Sequence, residues 1–409
     1  MIWRTLLGLA ALGLLATLPA WLGSSYATTI LCQIGIAIVF ALSYNLLMGE
    51  TGMLSFGHAV YFGTGAYSVV HLMRAVNEGA LAVPIALLPL AGGLVALVVA
   101  GLIGLVVMRR SGIAFAMITL GLGEVAVSVA QMFKGPFGGE SGIAADRVAG
   151  PTLAGLTFGP QRELYWLVLG WTLIAMLAMY ALTRTPLGRI ANAVRDNAER
   201  VSYLQFDPHV VRLIMYCAAG LFAGIAGGLA AIVYEIVTVE ALSLATSSNV
   251  VLMSFIGGTG HFLGPAMGAA LVTWLQSALS SYSDAWLFYY GVFFILTVVY
   301  TPVGLAGLLK HAFSEAAAGR GAILLARGLA AILRALPLLV GAILLTELCY
   351  RISSVSTRGR SLTVAGWRID AGSPLAWVAA IALIVIGVWL LRQLRRTRAA
   401  REPVREVRL

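Results

Sequence analysis

Residues 80–108 read ALAVPIALLPLAGGLVALVVAGLIGLVVM, a run that contains no Asp, Glu, Lys or Arg. About 20 apolar residues in a helix cross the roughly 30 Å hydrocarbon core of a bilayer, so this run predicts a membrane-spanning helix. It is longer than one crossing requires and contains Pro84 and Pro89. We treat it as a single span.

Apolar runs of this kind recur along nearly the whole chain. Of its 409 residues, 60% are hydrophobic and 11% are charged, and the mean hydropathy is +0.92. Soluble domains have about 45–50% apolar and 25% charged residues. Long uninterrupted runs indicate helices, because a membrane β-barrel shows short alternating segments instead. The sequence therefore predicts an all-α, polytopic membrane protein.

The runs divide into about ten predicted spans in residues 1–310 and about two more in residues 311–409. The first, which follows Arg4, is interpreted as a transmembrane helix rather than a cleaved secretory signal. The short run 246–257 fits a half-helix buried in protein and an ordinary short buried helix equally well. The predicted spans are 5–22, 28–48, 58–73, 80–108, 112–133, 164–182, 211–234, 246–257, 263–281, 285–301, 323–347 and 375–391.

The formal net charge of +10 is explained by membrane topology rather than by nucleic-acid binding. Basic clusters follow the fourth, sixth, tenth and twelfth predicted spans. With an even number of spans and a cytoplasmic N-terminus, every cluster falls on the cytoplasmic side, as the positive-inside rule requires. The C-terminus is then also cytoplasmic, and its Arg-rich tail is suited to contact with lipid headgroups of the bilayer. The clusters are Arg109 with Arg110, the arginines from Arg184 to Arg212, Lys310 with Arg320, and the arginines from Arg392 to Arg408.

The longest well-charged interruption before residue 310 is the insert, residues 183–211, which reads TRTPLGRIANAVRDNAERVSYLQFDPHVV. It predicts one amphipathic helix with an i, i+4 pair between Asp196 and Arg200. Pro186 suits its first turn and Pro208 prevents its continuation. Either a soluble partner binds this helix or it is a solvated connector. Its apolar stripe consists of Leu187, Ile190, Val194, Val201 and Leu204.

Ionisable residues within the spans are few, which makes each a candidate for the translocation pathway, and three polar residues in or next to the spans are further candidates. For Glu124 a helix-packing role is at least as good an interpretation, and for His58 a structural role is the commoner one. The many glycines of residues 46–67 also predict close backbone approach or a broken helix there. The candidates are Asn45, Ser55, His58, Glu124 and Asn249.

Motifs for catalysis are absent from the sequence. It contains no G-x-x-x-x-G-K-[ST] phosphate loop, no H-E-x-x-H and no paired cysteines, so we predict neither an enzyme nor a bound cofactor or metal. ATP, if it is used, requires another subunit. Cys32, Cys217 and Cys349 are interpreted as small buried residues.

Glycines repeat every four residues in two of the predicted spans. Gly220, Gly224 and Gly228 form one such row, and Gly264 with Gly268 forms another. Small residues at this spacing let helix backbones approach closely in a membrane. We expect these rows to pack within the chain rather than to form a dimer interface.

Several ordered motifs resemble those of LivM-type permease subunits of branched-chain amino-acid ABC importers. The resemblance covers residues 1 to about 310 and leaves 311–409 outside it. It departs from the family pattern at Gln205, where a glycine is usual, and in the details of GGESGI. The motifs are LLMGETGMLSFGHAVYFGTGAY at 46–67, GGESGI at 138–143, GRIANAVRDNAERVSYL at 188–204, FIGGTGHFLGPAMGAAL at 255–271 and YTPVGL at 300–305.

The resemblance implies a type II importer core of ten helices that pairs with a homologous permease, as a heterodimer. It also implies a periplasmic binding protein that delivers substrate and two ATPase subunits on the cytoplasmic face of the bacterial inner membrane. The insert would be the helix that couples to the ATPase. That role is carried by Arg189, Arg195, Asp196, Asn197 and Arg200.

Two other functions stay open on the sequence. One is an ion-coupled secondary transporter or channel for a small solute, although the spans lack the succession of carboxylates that a proton relay requires. The other is an ABC permease for urea or amides, since relatives carry such substrates.

Overall fold

A computed structural model describes residues 23–148, 151, 156–283, 285–301, 303–317, 336–350, 361–364, 367–370 and 373–399, with isolated positions 17, 19 and 21. The chain divides into two compact units. The first consists of residues 1–277 and 293–308, and the second of residues 278–292 and 309–409.

The described chain is built almost entirely of helices, as the sequence predicts. Short 3-10 or one-turn helices lie at Ile85–Leu87, Lys134–Phe137, Gly139–Ser141 and Val239–Leu242. Two small antiparallel ribbons are the exception: β1 (Ile143–Ala144) with β2 (Ile236–Val237), and β3 (Ser361–Val364) with β4 (Trp367–Asp370). The helices are α1 Ser25–Thr51, α2 Ala59–Asn77, α3 Leu88–Val107, α4 Ile113–Met132, α5 Gln161–Arg184, α6 Pro186–Asp196, α7 Ala198–Tyr203, α8 Pro208–Tyr234, α9 Leu244–Gly257, α10 Gly264–Tyr282, α11 Trp286–Tyr300, α12 Gly304–Ala317, α13 Leu336–Tyr350 and α14 Pro374–Ala399.

The predicted spans from 28–48 to 285–301, and that at 375–391, each coincide with a helix. Within the described residues five helices are long and apolar enough to cross a membrane, or six if the bent pair Trp286–Val299 and Gly304–Ala312 is one span. The total of about ten plus two crossings stays a prediction. Span 5–22 and the first half of span 323–347 lie outside the described residues.

Helix α8 is the centre of the first unit. It packs against α1, α2 and α3. In α8, 78% of the most apolar 18-residue stretch is buried, against 28% of the corresponding stretch in α4 and in α5. The apolar sequence alone does not separate these helices, because all three are long and hydrophobic. Burial places α8 inside the protein and leaves broad faces of α4 and α5 exposed.

Close helix packing in the core depends on glycine, as the four-residue spacing predicts. A Cβ on Gly224 would overlap Ala96, and one on Gly227 would overlap the carbonyl oxygen of Phe62. In the second row a Cβ on Gly268 would overlap the carbonyl oxygen of Met253. The contacts are all within the chain, so the preference for intramolecular packing is confirmed.

The predicted helix interruption in residues 46–67 is also confirmed. Helix α1 ends at Thr51, and Gly52 follows in the left-handed region with φ 71°. Residues 53–58 are irregular but mostly buried, and α2 then begins at Ala59. We call residues 52–58 the α1–α2 break.

In the second unit, α13 and α14 pack together. Leu348, Ala376 and Ala380 form a small buried cluster, and a Cβ on Gly341 would lie 2.9 Å from the carbonyl oxygen of Ala380. Of the three cysteines predicted to be buried, only Cys32 is fully so: Cys217 is half-buried, and the prediction was wrong for Cys349, which is exposed. Apolar sequence around a cysteine does not say which helix face it occupies.

Replacing Gly227 by alanine tests the packing of α8 on α2. The added methyl group would overlap the backbone of Phe62, and overpacking of this kind costs about 1–3 kcal/mol. We expect a lower midpoint of thermal unfolding in detergent. Gly121→Ala is the matched control, because nothing lies within 4 Å of its Cβ position and alanine favours a helix. Equal destabilisation by both substitutions would contradict this packing.

Candidate functional site

The insert and the loop that contains GGESGI lie at opposite ends of the core. Helix α8 begins at Pro208, near the end of the insert, and ends at Tyr234, beside β2. Its 27 residues correspond to about 40 Å of helix. Since β2 pairs with β1 next to GGESGI, the two regions belong to different faces of the protein.

The insert forms two helices rather than the single predicted one. Helix α6 begins at Pro186 and its N-cap Thr185 accepts a hydrogen bond from the Gly188 amide at 3.3 Å. Helix α7 has Asn197 as its N-cap, whose Oδ1 accepts from the Arg200 amide at 2.9 Å. An asparagine that caps a new helix competes with continuation of the preceding one.

This cap changes the predicted pairing of Asp196. Its carboxylate lies 3.3 Å from Nε of the adjacent Arg195, and the predicted i, i+4 pair with Arg200 is not formed because the helix ends between them. The Arg195–Asp196 pair lies on the surface of the protein.

Helix α6 is anchored to the C-terminal end of α1 by two side chains. The guanidinium of Arg195 donates to the carbonyl oxygen of Gly49, and the Asn192 amide donates to the carboxylate of Glu50. The last carbonyls of a helix have no partner within it, and a positive charge there is favourable. Arg195 therefore stabilises the end of α1 in this chain.

Gly52 makes this contact possible. A Cβ on Gly52 would lie 2.9 Å from Cγ of Arg195, so any other residue would displace the arginine stem. The positive φ of Gly52 also favours glycine. Helix α6 thus packs closely against the glycine-rich end of α1.

The outer face of the insert carries exposed charges beside exposed apolar groups. Arg189, Asp196 and Arg200 are exposed, and so are Tyr203, Leu204 and Phe206, with Tyr203 at 78% and Leu204 at 67%. Leu204 of the predicted apolar stripe follows the end of α7 and is exposed. Val194 and Val201 of the predicted stripe are buried.

Gln205 occupies the position where the resembling family usually has glycine. Its φ is 65°, in the left-handed region, which costs a non-glycine residue roughly 1–2 kcal/mol. The departure seen in the sequence therefore coincides with local backbone strain between α7 and α8.

Three of the predicted pathway candidates lie in the α1–α2 break or in the end of α1 that precedes it, and all three are buried within the chain. Asn45 is 2% exposed, and Ser55 and His58 are fully buried. Nε2 of His58 lies 2.9 Å from Oγ of Ser43, and its ring stacks on Phe40 with centroids 5.4 Å apart. This geometry fits the structural role weighed from the sequence, and the pathway role of His58 stays a prediction.

Hydroxyl groups from two other helices hold the α1–α2 break. Thr119 of α4 accepts a hydrogen bond from the Phe56 amide at 3.1 Å, and Ser247 of α9 accepts from the Ala59 amide at 2.9 Å. A backbone amide at membrane depth needs such a partner. Sequence reasoning missed both residues, since Ser and Thr occur widely in membrane helices.

The remaining two candidates lie elsewhere. Glu124 is exposed on α4, and its carboxylate forms no ion pair with any residue the structure describes. Asn249 of α9 accepts a hydrogen bond from Gln276 of α10 at 3.0 Å. The structure thus does not bring the five candidates into one site.

At the face opposite the insert, Arg147 organises the loops. Its side chain is 11% exposed and lies 3.7 Å from the Glu235 carboxylate. The same guanidinium donates to the carbonyl oxygens of Phe158 at 2.9 Å, Gly159 at 3.2 Å and Val233 at 3.3 Å. It ties the segment after β1 to the end of α8, a connection that no sequence motif signalled.

These features define a polytopic helical membrane protein with an exposed insert on one face and an ordered loop network on the other. The profile of the family described as "Branched-chain amino acid transport system / permease component" matches residues 26–301. The chain belongs to this family, so the resemblance seen in the sequence is confirmed. It is therefore a transport permease component and a multi-pass membrane protein.

Individual relatives agree with this assignment. The chain is 27% identical over 298 residues to the high-affinity branched-chain amino acid transport system permease protein LivM of Salmonella typhimurium, covering 67% of this chain and 68% of the relative. The LivM of Escherichia coli gives the same values. A probable LivM of Methanocaldococcus jannaschii is 24% identical over 327 residues, covering 68% and 92%. No solved structure matches the chain.

Replacing Arg195 by alanine tests the anchor between α6 and α1. Loss of a charged hydrogen bond to the Gly49 carbonyl should loosen α6 by about 1–2 kcal/mol. We expect faster amide hydrogen exchange in residues 186–203. Arg189→Ala is the control, because that side chain is exposed on the outer face of α6. Indistinguishable exchange in the two variants would show that the anchor does not hold the insert.

Replacing Gln205 by glycine should relieve the strain between α7 and α8. We expect a gain of up to about 1 kcal/mol in stability, since the left-handed cost is removed while the unfolded chain gains freedom. The measurement is the unfolding midpoint in detergent. Gln205→Ala removes the same side chain but keeps its Cβ, so it should give no gain. A similar gain in both variants would refute the strain at this position.

Proposed function

We propose that this chain is a membrane subunit of an ATP-driven importer and forms half of a pathway for branched-chain or other small amino acids. A homologous permease supplies the other half, two ATPase subunits bind the insert, and a periplasmic binding protein delivers the substrate. The complex resides in a bacterial inner membrane, with both termini of this chain in the cytoplasm. The chain itself performs no catalysis.

The observation that carries this proposal is the two-sided construction of the insert. Its inner side is tied to α1 through Arg195 and Asn192. Its outer side presents Arg189, Arg200 and Leu204, all exposed. A surface with apolar anchors and a charged rim is typical of a protein interface. Membership of the transport-system family makes an ATPase the natural partner.

The residues assigned to coupling fall into two groups according to their contacts. Arg189, Asp196 and Arg200 are exposed and available to a partner, and Asp196 is 73% exposed. Arg195 and Asn197 instead hold the insert itself, one by its contact with α1 and the other by capping α7. We therefore propose that partner recognition uses the first group and transmission uses the second.

Transmission follows from the chain of contacts. A push on α6 acts on the end of α1 through Arg195, and α1 leads directly into the α1–α2 break. The break is held by Thr119 of α4 and Ser247 of α9. A displacement of the insert would therefore reach three membrane helices through hydrogen bonds that can be exchanged without breaking a regular helix.

The exposed face of α4 is the part of this chain that we assign to the pathway or to the second permease. Glu124 lies in that face, among exposed apolar residues such as Met117 and Val125. A carboxylate directed at lipid is costly, so a residue of this kind normally faces water or protein. Asn249 joins it as a proposed pathway residue, because its helix is short and partly exposed.

The loop network around Arg147 and Glu235 is the proposed docking face for the binding protein. It lies at the end of α8 away from the insert. The binding protein would supply most of the selectivity. The names of the LivM relatives support branched-chain amino acids as the substrate class.

The region beyond residue 310 is proposed to be an extension of the permease core. The family match ends at residue 301, and α13 and α14 pack on each other through their own buried cluster. We propose that residues 311–409 add two membrane helices and a basic cytoplasmic tail.

Combining Arg200→Glu with Leu204→Ser tests the insert as an ATPase-binding surface. Both side chains are exposed, and a glutamate in the first turn of α7 is favourable, so the fold should persist. We expect co-purification of the ATPase subunits to fall at least about tenfold, equivalent to roughly 1.4 kcal/mol. ATP-driven uptake in proteoliposomes with the cognate binding protein should fall with it.

The matched control is Arg110→Glu, which reverses an exposed arginine outside the insert. It should leave ATPase association unchanged. Uptake of leucine is compared with uptake of urea and of an amide, with and without ATP. Normal ATPase binding by the double variant, or uptake driven by an ion gradient without ATP, would reject the proposal.

A further inference from the structure

A groove of about 540 Å³ lies beside the C-terminal end of α5 in the first unit. Leu177 and Leu263 on its wall are 64% and 56% exposed. None of the lining residues is acidic. Its size falls within the roughly 300–1,000 Å³ typical of small-ligand sites. The lining residues are Met176, Leu177, Tyr180, His261, Phe262, Leu263, Met267 and Ala306.

A cation lies next to the apolar wall. The Arg184 guanidinium donates to the Tyr180 hydroxyl at 2.7 Å, and its central carbon lies 5.0 Å from the centroid of the Tyr180 ring. Tyr180 also packs edge-on against Phe262 at 5.2 Å. An arginine has five N–H donors, so an exposed Arg184 held in this way retains donors for an anion.

The position of the groove selects a lipid as the occupant. Helix α5 is a membrane-spanning candidate that ends at Arg184, so the groove lies where the apolar span meets the charged insert. That boundary corresponds to the headgroup level of a bilayer, and basic residues on the cytoplasmic side attract anionic lipids. A phospholipid carries its acyl chains on the membrane-core side of its phosphate. The groove has the same order, with apolar walls on the membrane-core side of the Arg184 guanidinium.

We propose that this groove binds one anionic phospholipid, whose acyl chain lies against Leu177 and Met267 and whose phosphate contacts Arg184. The assignment to the cytoplasmic leaflet rests on the orientation given under the proposed function. The binding itself does not depend on an ATPase or on a transported amino acid.

The experiment uses the purified full-length chain in a mild detergent with added phosphatidylglycerol or phosphatidylcholine. Native mass spectrometry counts the lipids retained. We expect preferential retention of one phosphatidylglycerol, and a loss of about fivefold in Arg184→Ala, since one basic residue contributes about 1 kcal/mol to such binding. Arg110→Ala, which removes an exposed arginine elsewhere, should retain the lipid.

A second measurement locates the lipid without any substitution. Phosphatidylglycerol with a photoreactive acyl chain should label peptides that contain residues 176–180 and 261–267. Ala306→Trp, which fills the groove, should abolish that labelling. Equal retention of the two lipids, labelling elsewhere, or retention by Ala306→Trp would overturn the proposal. So would loss of the second permease subunit in Ala306→Trp with lipid unchanged, which would identify the groove as a protein interface. None of these outcomes bears on ATPase binding, so the two proposals fail separately.

Discussion

The structure depends on one constraint: a backbone amide or carbonyl at membrane depth needs a partner within the protein. Long helices meet this requirement by themselves, and most of the chain is such helices. The α1–α2 break does not, so Thr119 and Ser247 provide acceptors for the amides of Phe56 and Ala59. Helices α4 and α9 thus supply hydrogen-bond acceptors that the irregular backbone lacks. The break is therefore a place where α1, α2, α4 and α9 meet.

The same logic explains the insert. The last carbonyls of α1 lack partners within their helix, and Arg195 satisfies one of them from α6. A segment that is polar and water-facing is thus attached to the membrane core by a hydrogen bond that the core itself requires. We propose that this attachment lets a partner bound to the insert act on the helices of the core.

Helix positions could be predicted from the sequence because they follow from local properties. The run of residues 80–108 lacks charges, and the helix Leu88–Val107 lies within it. Side-chain roles could not be predicted in the same way. Arg195 and Arg200 look alike in the sequence, but Arg195 donates to the Gly49 carbonyl, whereas Arg200 lies in α7, beyond the Asn197 cap. Likewise, Glu124 and His58 were both pathway candidates, and only burial separates them.

The sequence by itself determined the membrane class, the approximate positions of the helices, the helix interruption near residues 52–58 and the family, since each depends on local composition or on short motifs. Tertiary structure alone decided that α8 is central, that the insert breaks at Asn197, and that Thr119, Ser247 and Arg147 hold distant segments. The physical reason is that these contacts join residues far apart in sequence. Hydrogen-bond partners and burial then depend on how helices pack, which composition and periodicity do not specify.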